Sequence, residues 1–206
     1  MRSATVALAL FALVGCGQPA PIDAGPAMPE ALDPTRLELS CAAFADLTPA
    51  TLAERFGAEN ITTETLLGPE GTSYEATIVY PNDLTRRAEI IWTTAGSAID
   101  SILVSTPETQ WRGPGGVTVG TSLADVERAN GRPFSLYGFD WDYGGWVSNW
   151  RGGALDGDCR VRVRFDPGEN APMNVSGDSE FSSDSAEMRA ANATVRVVGL
   201  IFIRPE

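Results

Sequence analysis

Aromatic and acidic side chains are concentrated in the segment 138–150, which reads GFDWDYGGWVSNW. It holds three of the five tryptophans of the chain, together with a tyrosine and two aspartates. Tryptophan and tyrosine are enriched at the centres of protein interfaces, because each buries a large apolar ring and keeps one polar group. The segment is therefore a candidate surface for binding another protein, and the contacting residues would be Trp141, Tyr143, Trp146 and Trp150.

The spacing of these aromatic residues predicts how they divide between two faces. In an extended strand alternate side chains share a face, so Phe139, Trp141 and Tyr143 are predicted to point the same way. The glycine pair that follows permits a bend, after which Trp146 and Trp150 are predicted to share a face. We expect one set to anchor the core and the other to reach an open face. Burial of both sets in the core is the alternative.

A second candidate site is the segment 159–165, in which arginine alternates with apolar residues. Strand periodicity predicts Arg160, Arg162 and Arg164 on one face and the apolar side chains on the other. Guanidinium groups form paired hydrogen bonds with phosphate and carboxylate groups, so the three arginines are candidates for anion binding. Ion pairs with acidic residues on neighbouring strands are the alternative in so acidic a chain.

Four aspartates near glycine turns, Asp140, Asp142, Asp156 and Asp158, present the oxygen ligands that Ca²⁺ prefers. Their spacing lacks the third oxygen ligand and the distal glutamate of a calcium-binding loop. Solvated turn residues are the favoured interpretation. The sequence predicts no metal site and no cofactor.

The composition excludes most catalytic chemistry. The chain has no histidine, and all 15 basic residues are arginine. Sites built on Ser-His-Asp, Cys-His or a reactive lysine are therefore impossible within it. A carboxylate pair acting on a glycan is the remaining enzymatic possibility, and no particular residues are indicated for it. The net charge of −12 argues against nonspecific nucleic-acid binding.

Two short helices are predicted to organise these segments, at 48–57 and 122–131. Thr48 and Ser122 are suitable N-caps, and a glycine ends each helix. Four predicted strands follow each helix, at 61–67, 74–80, 87–93 and 99–106, and at 134–139, 146–150, 159–165 and 194–204.

This order predicts an α+β fold with short helices packed on antiparallel sheet. Its repetition allows two tandem helix-plus-four-strand units, residues 37–110 and 111–206. Residues 167–192 interrupt the pattern and are expected to be loop, with one short helix near 185–191.

The N-terminus has the features of a bacterial export signal. Arg2 supplies a positive charge, and the apolar run 4–14 is too short to span a bilayer. The run ends in Leu-Val-Gly-Cys at 13–16, which resembles the bacterial lipobox. In lipoproteins that carry this motif, the cysteine becomes the lipidated N-terminus after cleavage.

The resemblance implies that residues 1–15 form a signal peptide and that Cys16 is lipidated. Residue 17 is Gly rather than Asp, the residue that favours retention in the inner membrane. We therefore expect the outer membrane, with the folded domain in the periplasm. Residues 16–36 are rich in Pro and Ala and are predicted to form an extended tether. An ordinary secretory signal with a chance cysteine is the alternative.

Lipidation of the first cysteine leaves Cys41 and Cys159. Because the compartment beyond the inner membrane is oxidising, an even pair there predicts a disulfide. Two unpaired buried thiols are the alternative.

The second helix region, 117–133, resembles an opening found in small secreted and lipoprotein domains. These include the β-lactamase-inhibitory-protein family and the small outer-membrane-assembly lipoproteins. The residues that fit the pattern are Gly120, Ser122, Val126, Gly131 and Pro133. The first helix region lacks the corresponding glycine and proline. The resemblance implies a non-catalytic domain that binds other proteins through the open face of a sheet.

The expected function is that of a non-catalytic outer-membrane lipoprotein with a protein-binding or envelope-assembly role. It would contact the membrane through Cys16, and its partner would be a periplasmic or outer-membrane protein. The alternatives are a carboxylate-based peptidoglycan or glycan hydrolase and a structural spacer.

Overall fold

The computed structural model describes residues 37–157 and 159–203, which contain nine β-strands and four α-helices. The predicted signal peptide, the tether and Cys16 lie outside the described residues, as do Asp158 and residues 204–206. No helix in the described residues is long and apolar enough to cross a membrane.

The described helices are α1 (Cys41–Phe44), α2 (Pro49–Phe56), α3 (Leu123–Asn130) and α4 (Ala186–Ala190). The predicted caps are confirmed, because the hydroxyl groups of Thr48 and Ser122 accept hydrogen bonds from backbone amides three residues later. Gly131 ends α3 in the left-handed conformation, with φ 75°. The predicted short helix near 185–191 is α4, whereas α1 has no predicted counterpart.

Six antiparallel strands form the large sheet, in the order β1-β2-β3-β4-β9-β7. They are β1 (Ile61–Leu67), β2 (Ser73–Val79), β3 (Ala88–Trp92), β4 (Ile99–Val104), β7 (Cys159–Asp166) and β9 (Thr194–Phe202). Three shorter strands form a second antiparallel sheet in the order β6-β5-β8. They are β5 (Ser135–Tyr137), β6 (Val147–Asn149) and β8 (Glu180–Ser182). The predicted α+β class is confirmed.

The two halves of the chain contribute differently to these sheets. Strands β1 to β4 form a continuous meander, and β4 then pairs with β9 of the second half, with Leu103 opposite Gly199. The second half divides its strands between the two sheets and includes β8, within the interval that is expected to be loop. Strands from both predicted units therefore share one sheet.

The large sheet has one face in the core and one face that carries polar side chains. Ile90, Ile102, Leu200 and Val161 are paired neighbours across four strands, and all are buried in the main core. Apolar residues of all four helices, Phe44, Leu52, Val126 and Met188 among them, belong to the same core. The predicted alternation in β7 is confirmed, since Val161, Val163 and Phe165 are buried and the three arginines are not.

The opposite face of the large sheet borders a cavity that is described below, and it is here called the cavity face. A second row of paired residues defines it. Glu89 lies opposite Leu103, Leu103 opposite Gly199, and Gly199 opposite Arg162. Glu89 and Arg162 are thus three strands apart, which at ordinary strand spacing is about 14 Å between backbones.

Candidate binding site

A cavity of about 660 Å³ lies on the cavity face of the large sheet. Trp141, Tyr143 and Trp146 line it together with Arg162 and Arg164. These five residues belong to two sites that are predicted separately from the sequence. The structure therefore brings most of both predicted sites into one place.

Three parts of the fold enclose this cavity. Its floor includes Tyr74, Glu89 and Leu103, which come from three adjacent strands of the sheet. One wall is the tip of the β1–β2 hairpin, and the other is the segment 138–146, here called the aromatic loop. The two walls are joined, because the backbone N–H of Glu70 donates a hydrogen bond to the Asp142 carboxylate at 2.8 Å.

The aromatic loop is a series of turns and not a continued strand, and its backbone is fixed by hydrogen bonds within the loop and to β7. The Gly145 N–H donates to the Gly138 carbonyl at 3.1 Å, and the Phe165 N–H donates to the Gly145 carbonyl at 2.9 Å. Gly145 has φ 76°, and a Cβ there would lie 2.0 Å from the Phe165 carbonyl oxygen. Only glycine fits this position.

The strand alternation predicted for residues 139–143 is wrong, because this segment forms turns and its three aromatic side chains do not share a face. Phe139 is in the core with 2% of its surface exposed, whereas Trp141 is half-buried at the cavity. Tyr143 is 40% exposed at the cavity wall. The Trp141 indole N–H donates to the Gly138 carbonyl at 3.0 Å, and its ring centre lies 5.4 Å from that of Tyr143. These two rings are thus held by the loop itself.

The prediction that Trp150 contacts a partner is wrong, because this residue is buried. Only 3% of it is exposed, and its indole N–H donates to the Val161 carbonyl at 2.8 Å. Its ring centre lies 5.0 Å from that of Phe134, inside the core. Because β6 ends at residue 149, strand alternation does not extend from Trp146 to Trp150. Trp150 therefore supports the fold and cannot contact a partner.

Two of the predicted arginines contact Trp146 in different ways. The Arg162 guanidinium lies 4.2 Å from the centre of the Trp146 ring, and that of Arg164 lies 5.9 Å from it. Arg164 also donates from Nε to the Gly144 carbonyl at 2.8 Å, which ties the aromatic loop to β7. Arg160 is exposed and does not line the cavity; it lines a neighbouring hollow of about 170 Å³, whose lining also includes Tyr143, Trp146 and Arg162.

Burial shifts the pKa values of the two arginines that line the cavity beside Trp146. It lowers the pKa of Arg162 from its ordinary value, while the negative charge of Asp100 acts in the opposite direction. Burial also lowers the pKa of Arg164, and the nearby Arg196 adds to the effect. Arginine nevertheless stays protonated in proteins, so both groups carry full positive charge.

Glu89 and Tyr74 are cavity residues for which the sequence offers no specific signal. Burial raises the pKa of the Glu89 carboxyl, and the charge of Arg87 and a hydrogen bond with Ser105 partly offset this rise. Burial also raises the pKa of Tyr74, with a contribution from the negative charge of Glu89. The alternation of strand β3 places Glu89 on one face, but the sequence does not indicate that this face borders a cavity.

The aspartates of the predicted acidic cluster act mainly as acceptors for neighbouring turns. Asp140 accepts a hydrogen bond from the Ser176 hydroxyl at 2.5 Å, and Asp156 accepts one from the Gly152 N–H at 3.1 Å. Asp158 lies outside the described residues. Within the described ranges, no group of three or more Cys, Asp or Glu side chains is placed to hold a metal ion.

The predicted disulfide is confirmed. Cys41 and Cys159 are bonded, with 5.7 Å between their Cα atoms. Cys41 begins α1 and Cys159 begins β7, the strand that carries the three arginines. The bond therefore fixes one end of the strand that supports the cavity.

No protein family, no curated protein and no solved structure matches this chain. Its cavity offers aromatic rings for apolar contact, guanidinium groups for anions, and the half-buried carboxyl group of Glu89 at the floor.

Proposed function

We propose that the protein is a non-catalytic lipoprotein of the outer membrane and that its periplasmic domain binds another envelope protein through the cavity. The observation that carries this proposal is the meeting of Trp141, Tyr143 and Trp146 with Arg162 at one accessible cavity. Aromatic and arginine side chains that are held in place are the residue types that dominate binding energy at protein interfaces.

The surroundings of the cavity support a protein partner. Leu67 lies at the hairpin tip beside the cavity and is 88% exposed, and Tyr143 on the opposite wall is 40% exposed. Large apolar side chains on both sides of a cavity extend the contact area beyond its interior. A partner could insert one side chain and cover both walls.

The location in the envelope rests on the N-terminal sequence. A cysteine at position 16 after an apolar run supports lipid anchoring, and the confirmed disulfide is typical of an oxidising compartment. Cys16→Ala is expected to abolish incorporation of labelled palmitate and to move the protein out of the mature membrane-bound form. Incorporation that persists in this variant would contradict the anchor.

Affinity capture from gently solubilised membranes tests the binding function. The tagged full-length protein is compared with a Tyr143→Ala/Trp146→Ala variant and with Leu84→Ala. Leu84 is the control because it is 53% exposed and does not line the cavity. We expect a protein that is recovered with the wild type and the control and reduced at least tenfold with the double variant. Equal recovery of that protein with all three would contradict the proposal.

A second candidate function, glycan hydrolysis, has one observation in its favour. Glu89 lines the cavity with a raised pKa, as a general acid requires, and Asp100 lines the same cavity. If this alternative is correct, purified peptidoglycan should be cleaved by the wild type and not by Glu89→Gln. If the binding proposal is correct, the wild type and Glu89→Gln should both release a negligible amount of peptidoglycan fragments.

A further inference from the structure

Arg162 differs from the other half-buried arginines of the described chain. Arg87 forms an ion pair with Glu64 at 2.9 Å, Arg164 donates to the Gly144 carbonyl, and Arg55 donates to the Ala43 carbonyl. The Arg162 side chain forms no hydrogen bond and no ion pair with any residue in the described ranges; its close contact is the Trp146 ring, and the charge of Asp100 acts on it without an ion pair. Desolvated guanidinium groups without acceptors are unfavourable, so this residue is suited to an external acceptor.

The donors of Arg162 border the cavity. Every fully buried side-chain nitrogen or oxygen atom of the described residues has a hydrogen-bond partner, so the unused N–H groups of Arg162 are not fully enclosed. The residue lines the cavity, and its backbone is part of strand β7. Contact with the Trp146 ring at 4.2 Å limits the orientations of the guanidinium group.

The charge of the cavity decides between anions. Three acids, Glu89, Asp100 and Asp142, line it beside three arginines, and two of these arginines are already engaged, Arg164 with the Gly144 carbonyl and Arg196 with Asp166. Arg162 is left to balance the charge of a ligand, and one guanidinium group balances one negative charge and not the two of a phosphate. A single carboxylate carries less charge and matches the planar pair of N–H donors of a guanidinium group. The same acids disfavour a ligand with several consecutive carboxylates.

We propose that Arg162 recognises a single carboxylate group on the partner protein, either the side chain of an isolated Asp or Glu or the carboxyl terminus. This inference rests on the proposed function and specifies the chemistry that its cavity recognises. Arg164 is not equivalent, because it holds the aromatic loop through the Gly144 carbonyl.

Partner capture separates this inference from the binding proposal itself. Arg162→Gln should reduce recovery of the partner at least tenfold, whereas Arg160→Gln should leave it unchanged. Arg160 is the matched control, since it lies on the same face of the same strand but outside the cavity. If Tyr143→Ala/Trp146→Ala abolishes capture and Arg162→Gln does not, binding at the cavity stands and the carboxylate inference is wrong. If neither change affects capture, both proposals fail.

Synthetic peptides identify the source of the carboxylate. The full-length protein in detergent is titrated with acetyl-Ala-Glu-Ala-amide against its Gln counterpart, and with acetyl-Ala-Leu-Ala acid against its amide. Tryptophan fluorescence is the readout, because Trp141 and Trp146 line the cavity.

At least one acid should bind at least tenfold more tightly than its amide, and Arg162→Gln should remove the difference. Arg162→Lys, which keeps the charge but loses the planar donor pair, should weaken acid binding at an unchanged melting temperature. No preference for either acid, or tighter binding of a phosphoserine peptide than of the glutamate peptide, would overturn the inference.

Discussion

Trp146 and Trp150 are four positions apart, and they contribute to different properties of the molecule. Trp150 is 3% exposed and hydrogen-bonded inside the core, whereas Trp146 is half-buried at the cavity and carries Arg162 on its ring. The first residue stabilises the fold, and the second supports the candidate site.

Truncation of each tryptophan should therefore have different costs. Trp150→Ala removes a buried ring and leaves a cavity, which is expected to lower the free energy of unfolding by about 3–5 kcal/mol. Trp146→Ala removes a half-buried ring and should cost about 1 kcal/mol. Urea unfolding monitored by circular dichroism measures both changes. A larger loss for Trp146→Ala than for Trp150→Ala would contradict the assignment.

For single residues, the sequence predicts which side chains are functional candidates and on which face of a strand they lie. It does not predict how deeply each one is buried. Alternation correctly places Arg160, Arg162 and Arg164 away from the core. Their separate roles depend on where the aromatic loop meets β7, a contact between residues that are about twenty positions apart. Composition likewise identifies the aromatic residues of the segment 138–150 without showing that Trp150 turns into the core.

The aromatic loop is the element that positions most of the candidate site. Its hydrogen bonds to β7 place Trp141 and Trp146 on the cavity face, and the Asp142 carboxylate joins it to the β1–β2 hairpin. Gly145 is the position with the least space for a side chain.

Gly145→Ala should disrupt this loop. A Cβ would meet the Phe165 carbonyl oxygen at 2.0 Å on a backbone with φ 76°, so the loop must move away from β7. We expect a loss of about 2–4 kcal/mol in the free energy of unfolding. Gly157→Ala is the control, because no heavy atom lies within 4 Å of a Cβ there. Equal stability of the two variants in urea unfolding would contradict the role of Gly145.

At the level of elements, local signals suffice where a residue acts within its own segment. The caps Thr48, Ser122 and Gly131 and the long strands follow from such signals. Strand β8 has three residues, too few for alternation to be recognised, and it forms because β5 pairs with it across the fold. The aromatic loop escapes prediction for a similar reason, since its turns depend on hydrogen bonds to β7.

The disulfide between Cys41 and Cys159 links two residues that are 118 positions apart in the chain. A cross-link over so long a loop restricts the unfolded chain strongly. The pairing is predictable because two cysteines remain after lipidation, whereas their proximity depends on the assembled large sheet.

Removal of the disulfide should lower stability without changing the fold. Cys41→Ser/Cys159→Ser is expected to lose up to about 4–5 kcal/mol in the free energy of unfolding, by loop-closure entropy. Reduced wild-type protein is the control and should unfold at nearly the same urea concentration as the variant. Free thiols from both cysteines in unfolded, unreduced protein would contradict the bond.

The central claim for the whole molecule is that its partner binds at the cavity. Site-specific photo-crosslinking in cells tests this most directly, with a benzophenone amino acid in place of Tyr143 at the cavity or of Leu84 away from it. We predict that the probe at 143 forms an adduct with the captured protein and that the probe at 84 does not. Adducts with that protein from both positions in equal yield, or from position 84 alone, would contradict the claim.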